Sequence, residues 1–183
     1  ADTLSDRVYP GSGRVNLDDI GEDLDFLEDV KRIVIVACGT SFHAALVGKF
    51  ILESSARLPV EVDLGSEFRY RDPLINAADL MVLISQSGET ADTLAALDEG
   101  RSKGAKILTI CNVMDSTMAR KSDYVLYTHA GPEIGVAATK TFMAQLAALG
   151  MLALYLAEKR GTLSAEELIE SVNDIVRLPH YLE

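Results

Sequence analysis

Apolar and polar positions follow two periods along this chain. Five short runs are dominated by apolar residues: Ile33–Ala37, Val60–Asp63, Leu80–Ile84, Lys106–Cys111 and Tyr124–Thr128. Runs of this length between turn signals predict buried strands. Helix-spaced patterns separate or follow them, at about Phe42–Ala56, Ala91–Ser102, Thr139–Lys159 and Ala165–Leu178, with short pieces at Ser66–Tyr70 and Ser116–Lys121. Near-continuous apolar strands alternating with helices predict an α/β fold: a doubly wound, five-stranded parallel sheet with helices on both faces. The last helix has a legible start. Ser164 and Glu167 have capping-box spacing, with Leu163 and Leu168 placed as a hydrophobic staple.

Five parallel strands of this kind take the order 2-1-3-4-5. The ligand crevice then opens between the carboxyl ends of the first and third strands. Those strands lead into Cys38-Gly39-Thr40-Ser41 and Ser85-Gln86-Ser87-Gly88-Glu89-Thr90, the strand-end loops richest in hydroxyls. Each passes from a strand end into a helix N-terminus, where free backbone N–H groups and the positive end of the helix dipole favour an anion. Gly39 and Gly88 permit close backbone approach. Neither loop holds a Lys or Arg. The pattern is that of a phosphate cradle built from neutral donors. Helix capping alone would account for Ser41 and Thr90, but not for Ser85, Gln86 and Ser87 together.

Composition and charge narrow the possibilities. The chain has 183 residues, 48% of them hydrophobic, enough for one buried core. The net charge of −11 argues against nucleic acid or an anionic membrane as the main partner. Residues 1–31 hold nine acids and three bases, more than half of that charge. Tyr9-Pro10-Gly11-Ser12-Gly13 reads as a turn, and Leu17, Ile20, Leu24 and Leu27 recur at helical spacing. Residues 1–31 are therefore expected to form an acidic arm with a short amphipathic helix and a solvated face, and residues 32–183 the binding domain. The remaining −5 leaves room for a phosphate in a cradle that works at contact range.

Cys38 and Cys111 make no disulfide framework, and no Cys/His cluster has zinc spacing, so no metal site is expected. The opening ADTLSDRVYP lacks the basic and apolar regions of a signal peptide. The most apolar run, Phe142 to Ala157, is broken by Gln145 and is shorter than the ~18–20 residues of a membrane span. A cytoplasmic protein is expected, with this helix buried or facing a second subunit.

Rival nucleotide readings fit less well. Asp63 ends the second strand, where a dinucleotide fold places a ribose-binding acid, but the first loop lacks G-x-G-x-x-G and no P-loop occurs. A phosphoacceptor domain would need an Asp where Ser85 stands. The loop Gly131–Lys140 either lines the crevice or is an ordinary connection capped at Thr139. His43 reads as a surface or subunit-contact residue. His129 and His180 stand in no constellation. Glu89 is expected to bond nearby backbone N–H groups rather than a phosphate, and Glu133 is open between the two roles. The cysteines read as small buried apolar residues.

The segments Cys38–Ser41, Ser85–Thr90 and Glu133-Ile134-Gly135-Val136-Ala137 resemble the sugar isomerase (SIS) family, whose sheet has the flavodoxin-like order. Ser66-Glu67-Phe68-Arg69-Tyr70-Arg71, Cys111-Asn112-Val113 and Thr139-Lys140 narrow this to the isomerase part of the glutamine–fructose-6-phosphate aminotransferases. The resemblance covers roughly residues 32 to 160. It implies the first of two tandem SIS lobes. Ser41, Ser85, Gln86, Ser87 and Thr90 would hold the phosphate, and Thr40, Val136 and Ala137 would line the sugar. Ala138 stands where that family often has serine. The family's proton-transferring glutamate, Schiff-base lysine and ring-opening histidine lie in the second lobe, and its nucleophilic cysteine in a glutaminase domain. No segment here matches them, so the expectation is a homodimeric binding lobe, inactive alone, taking fructose 6-phosphate, glucose 6-phosphate or glucosamine 6-phosphate. A stand-alone sugar-phosphate sensor and a small aldose–ketose isomerase remain as alternatives.

Overall fold

The computed structural model of the chain describes residues 2–22, 24–135 and 137–182. Its sheet contains β1 (Arg32–Ala37), β2 (Val60–Leu64), β3 (Asp79–Ser85), β4 (Lys106–Cys111) and β5 (Tyr124–Tyr127). The order is β2-β1-β3-β4-β5 and every pair is parallel, as the apolar runs predict. The helices are α1 (Phe26–Asp29), α2 (Gly39–Ala56), α3 (Gly65–Phe68), α4 (Ala91–Ser102), α5 (Thr117–Lys121), α6 (Lys140–Arg160) and α7 (Ala165–Leu182).

Successive strand residues point to opposite faces, so one sheet serves two cores. Ile33, Ile35, Val82, Ile84 and Ile110 join the core beneath α2, α6 and α7. Val34, Val36, Met81, Leu83 and Ile107 join the other, with Phe68 of α3, Leu97 of α4 and Met118 of α5. Burial on both faces explains why the strands lack polar alternation. A fully buried Leu or Ile contributes roughly 1.5–3 kcal/mol.

The capping box forms as expected. Glu167 Oε2 accepts from the Ser164 N–H at 2.8 Å, and Ser164 Oγ accepts from the Glu167 N–H at 3.2 Å. These bonds, the Ser164 backbone N–H first, hold the Glu167 carboxyl below its usual pKa. α6 is longer than the apolar run suggested. It has 21 residues and is long and apolar enough to cross a membrane, but 72% of its most apolar window is buried inside the fold. Burial, not length, marks it as a core helix.

The predicted arm helix is confined to Phe26–Asp29. Upstream, residues 17–22 turn instead. Leu17 and Ile20 are still buried, and their spacing serves a turn as well as a helix. The Ile20 carbonyl accepts from Val125 N–H of β5 at 2.7 Å, which takes it out of helical bonding. Asp18, Glu22, Asp25 and Asp29 are exposed, as a solvated acidic face requires.

Candidate phosphate-binding site

β1 and β3 lie side by side with Ala37 opposite Ile84, so Cys38–Ser41 and Ser85–Thr90 leave the sheet as neighbours. Cys38 is extended and α2 begins at Gly39, which has a positive φ of 56°. A Cβ at Gly39 would meet nothing within 4 Å, so glycine is needed there for backbone conformation rather than space. Neither α2 nor α4 has a side-chain N-cap hydrogen bond. The first-turn N–H groups of both helices lack intrahelical partners by geometry, so their ends point unsatisfied donors outward. Ser41 and Thr90 are therefore not spent on capping.

The second loop is held by its own hydroxyls. Ser85 Oγ accepts from the Gly88 N–H at 3.1 Å and shares a 2.9 Å hydrogen bond with Thr90 Oγ1. Ser87 Oγ accepts from the Glu89 N–H at 3.2 Å, which leaves the Ser87 hydroxyl hydrogen free. Gly88 has φ 66°, and a Cβ there would lie 2.1 Å from Ser116 Oγ. Conformation and close approach both require glycine at this point.

The loop is also tied to the connection after β4. The Gln86 carbonyl accepts from Asn112 N–H and the Gly88 carbonyl from Met118 N–H, each at 3.1 Å. Glu89 Oε1 accepts from the Thr117 N–H at 2.7 Å, as expected of a structural carboxylate. That backbone bond holds the Glu89 carboxyl below its usual pKa.

Ser41, on the first turn of α2, is buried, and its Oγ accepts from Gln145 Nε2 of α6 at 3.0 Å. Thr40, Gln86, Ser87 and Thr90 are half-buried, and Ser85 is buried. The strand ends thus gather Thr40, Ser41, Ser85, Gln86, Ser87 and Thr90 on adjoining loops. Ala137 is exposed on the third loop, and Val136 lies outside the described residues.

Glu133 organises that third loop. Its Oε1 accepts from Thr139 N–H at 2.9 Å, Thr139 Oγ1 at 3.0 Å and Lys140 N–H at 3.1 Å, and its Oε2 from the Thr141 hydroxyl. These donors, the Thr141 hydroxyl first, hold the carboxyl down at about 2. Glu133, not Thr139, caps α6. Asn112 ties the start of the loop: its Oδ1 accepts from Thr128 Oγ1 and the Ala130 N–H, and its Nδ2 donates to the Gly131 carbonyl at 2.8 Å.

The other residues weighed in the sequence lie apart from this chemistry. Asp63 pairs with Arg71 at 2.5 Å. His43, His129 and His180 are exposed. Burial pushes the Cys111 thiol up to about 11, so it is an inert core group. Among the described residues, no cluster of His, Cys, Asp and Glu could hold a metal ion. A cavity of about 920 Å³ lies elsewhere, lined by Leu4, Ile51, Met143, Ala147, Ile175 and Leu178 among others, and includes no residue of the two hydroxyl-rich loops.

Sequence reasoning missed Gln145, Asn112 and Ser116. Gln145 had a signal, since it interrupts an otherwise apolar helix. The other two act through contacts that sequence spacing does not encode.

Known proteins are similar to this chain in sequence and in fold. The SIS domain family model matches residues 26–155. The chain is 50% identical over 182 residues to a glutamine–fructose-6-phosphate aminotransferase (isomerizing) of Clostridium tetani, covering 100% of this chain and 30% of that protein. It is 51% identical over 175 residues to the enzyme of the same name from Streptomyces coelicolor, covering 96% of this chain and 28% of that protein. The chain thus spans less than a third of the curated relatives it matches. Among solved structures, it resembles the C-terminal domain of glucosamine-fructose-6-phosphate aminotransferase from Francisella tularensis, with a TM-score of 0.89 and 38% identity, over 96% of this chain and 49% of that one. With the parallel sheet and the paired strand-end loops, these matches show that the chain belongs to the SIS domain family.

Proposed function

We propose that this chain is the sugar-phosphate-binding first lobe of the isomerase domain of a glutamine–fructose-6-phosphate aminotransferase. The whole enzyme would convert fructose 6-phosphate and glutamine to glucosamine 6-phosphate and glutamate. One observation carries the reading: two hydroxyl-rich loops, each opening a helix, leave adjacent strands side by side without a cation in either. Neutral donors at contact range suit a phosphate, each hydrogen bond to a charged group contributing about 1.5–3 kcal/mol.

In this reading Ser41, Ser85, Gln86, Ser87 and Thr90 hold the phosphate. Ser85 also keeps its loop closed: its bond with Thr90 uses one of their two hydroxyl hydrogens, and the other is left for the phosphate. Thr40, from the first loop, and Val136 and Ala137 line the sugar, and Glu133 and Asn112 hold the loop that carries Ala137. Residues 32–183 form the binding domain and residues 1–31 an acidic arm. The groups that move protons and nitrogen belong to a second SIS lobe and a glutaminase domain, its partners in a homodimeric cytoplasmic enzyme. No metal or organic cofactor takes part.

A thermal-shift comparison tests this. Fructose 6-phosphate or glucose 6-phosphate is expected to raise the melting temperature, and fructose is not. Equal shifts from phosphorylated and unphosphorylated sugar would reject the phosphate cradle. Incubation with fructose 6-phosphate is expected to yield no glucose 6-phosphate. Turnover would favour a small self-sufficient isomerase.

A further inference from the structure

Gln145 is an anomaly on α6. It is 1% exposed and stands in the run Phe142–Ala157, which is otherwise apolar apart from the Tyr155 hydroxyl. Its Nε2 donates to Ser41 Oγ at 3.0 Å. Its Oε1 is buried with no hydrogen-bond partner among the described residues. A buried acceptor left unsatisfied costs about 1–3 kcal/mol, so an apolar side chain of similar shape would suit the core better. Costs of that kind persist where function requires them.

The direction of this bond matters. A serine hydroxyl has one hydrogen and two acceptor lone pairs. The amide N–H fills a lone pair, so the Ser41 hydrogen cannot point at Gln145. Among the described residues the Ser41 hydroxyl makes no bond as donor. Its hydrogen is therefore available at the N-terminus of α2. That hydrogen needs an acceptor, and an ionised phosphate oxygen accepts without donating.

The packing of α2 on α6 fixes the pair. A Cβ at Gly48 would lie 2.6 Å from Leu149 Cδ1, so the helices are in direct contact there. Leu149 lies one turn beyond Gln145 on α6, and Gly48 two turns beyond Ser41 on α2. Neither helix can slide without breaking this contact.

We infer that Gln145 is a positioning residue. It fills one lone pair of the Ser41 hydroxyl, directs the hydroxyl hydrogen away from itself toward the ligand, and thereby suits the cradle to a fully ionised phosphate. The inference rests on the reading of the cradle as a phosphate site. The same helix serves the site twice, since Glu133 anchors the third loop to its first turn.

Calorimetric titration of the full chain with fructose 6-phosphate, beside thermal melts, tests it. Four proteins are compared: wild type, Gln145→Met, Ser41→Ala and the double variant. Gln145→Met is expected to melt at the same or a higher temperature yet bind about tenfold more weakly. In the Ser41→Ala background the same exchange is expected to change affinity by less than about twofold, because the group it acts through is gone. Gln145→Glu, which can only accept, is expected to capture the Ser41 hydrogen and bind more weakly than Gln145→Met. Unchanged affinity in Gln145→Met, or an equal loss in both backgrounds, would overturn the inference and leave the phosphate reading standing. Absence of binding by the wild type would remove both.

Discussion

The two ends of the sheet are built on opposite principles. At the amino end, charge does the joining. Arg32 at the start of β1 meets Asp79 at the start of β3 through a paired contact, Nε to Oδ1 at 3.1 Å and Nη2 to Oδ2 at 2.8 Å. Asp79 also accepts from the Asn76 N–H at 2.9 Å, and Arg32 reaches Glu61 of β2 at 3.0 Å. The hydrogen bond to Asp79 raises the Arg32 pKa further. Asp123 performs the same task beside β4, pairing with Lys106 at 3.4 Å and accepting the Ile107 N–H. At the carboxyl end the middle strands finish in hydroxyls, an amide and uncapped helix starts. The amino end satisfies its own charges within the fold. The carboxyl end keeps donors unspent, and that is what a site for an anion requires.

Substitutions at the two ends are therefore expected to separate stability from binding. The largest stability loss is expected at the amino end. Asp79→Ala strips a buried carboxylate from Arg32 and is expected to cost about 3 kcal/mol in urea unfolding, with phosphosugar affinity unchanged in the folded protein. A loss of affinity equal to that of a cradle variant would mean the ends are not independent. Gly88→Ala comes next, because the new methyl group meets Ser116 in a backbone conformation that disfavours it. It is expected to cost about 2 kcal/mol in stability and to abolish phosphosugar binding by calorimetry. Ser87→Ala is smaller and mainly functional: about tenfold weaker binding, with a melting temperature lowered only by loss of the exposed bond to the Glu89 N–H.

Glu133 gives a pH-resolved version of the same contrast. Its carboxyl titrates near 4.5 when unfolded and about 2 when folded. A depressed folded value means that its stabilising bonds are fully present above the unfolded pKa and fade as pH falls toward the folded one. The stability advantage of wild type over Glu133→Gln is expected to be constant above pH ~5 and to shrink between pH ~4.5 and ~2. An advantage that did not change with pH would show that the carboxylate charge contributes nothing there. The smallest effect is on salt. A cradle without cations on a chain of net charge −11 is expected to bind fructose 6-phosphate no more weakly, and at most about twofold more tightly, as salt rises. A steep fall in affinity with salt would instead point to a basic patch.

Much of this was legible in the sequence because it is local. Strand and helix periods are written in consecutive residues, so the sheet order and the placing of Cys38–Ser41 beside Ser85–Thr90 could be inferred before any contact was known. The Ser164–Glu167 capping box was readable for the same reason. What escaped depends on tertiary approach. Gln145 and Ser41 are 104 residues apart, and no spacing rule joins them. The arm helix was overpredicted because Leu17 and Ile20 mark burial without saying which backbone will carry it. In the fold, the Ile20 carbonyl is claimed by β5.

That last bond has a wider consequence. β5 is the outer strand of the sheet, and an outer strand offers unpaired backbone groups to any other chain. N-terminal residues occupy this edge. Ile20 takes the Val125 N–H, Arg7 donates to the Tyr127 carbonyl at 2.7 Å, and the Thr3 hydroxyl donates to the Thr128 carbonyl. The opposite edge, β2, is guarded by the charges of Glu61 and Asp63. The N-terminal residues thus act as a selvedge, finishing an edge that would otherwise be open to strand-to-strand pairing.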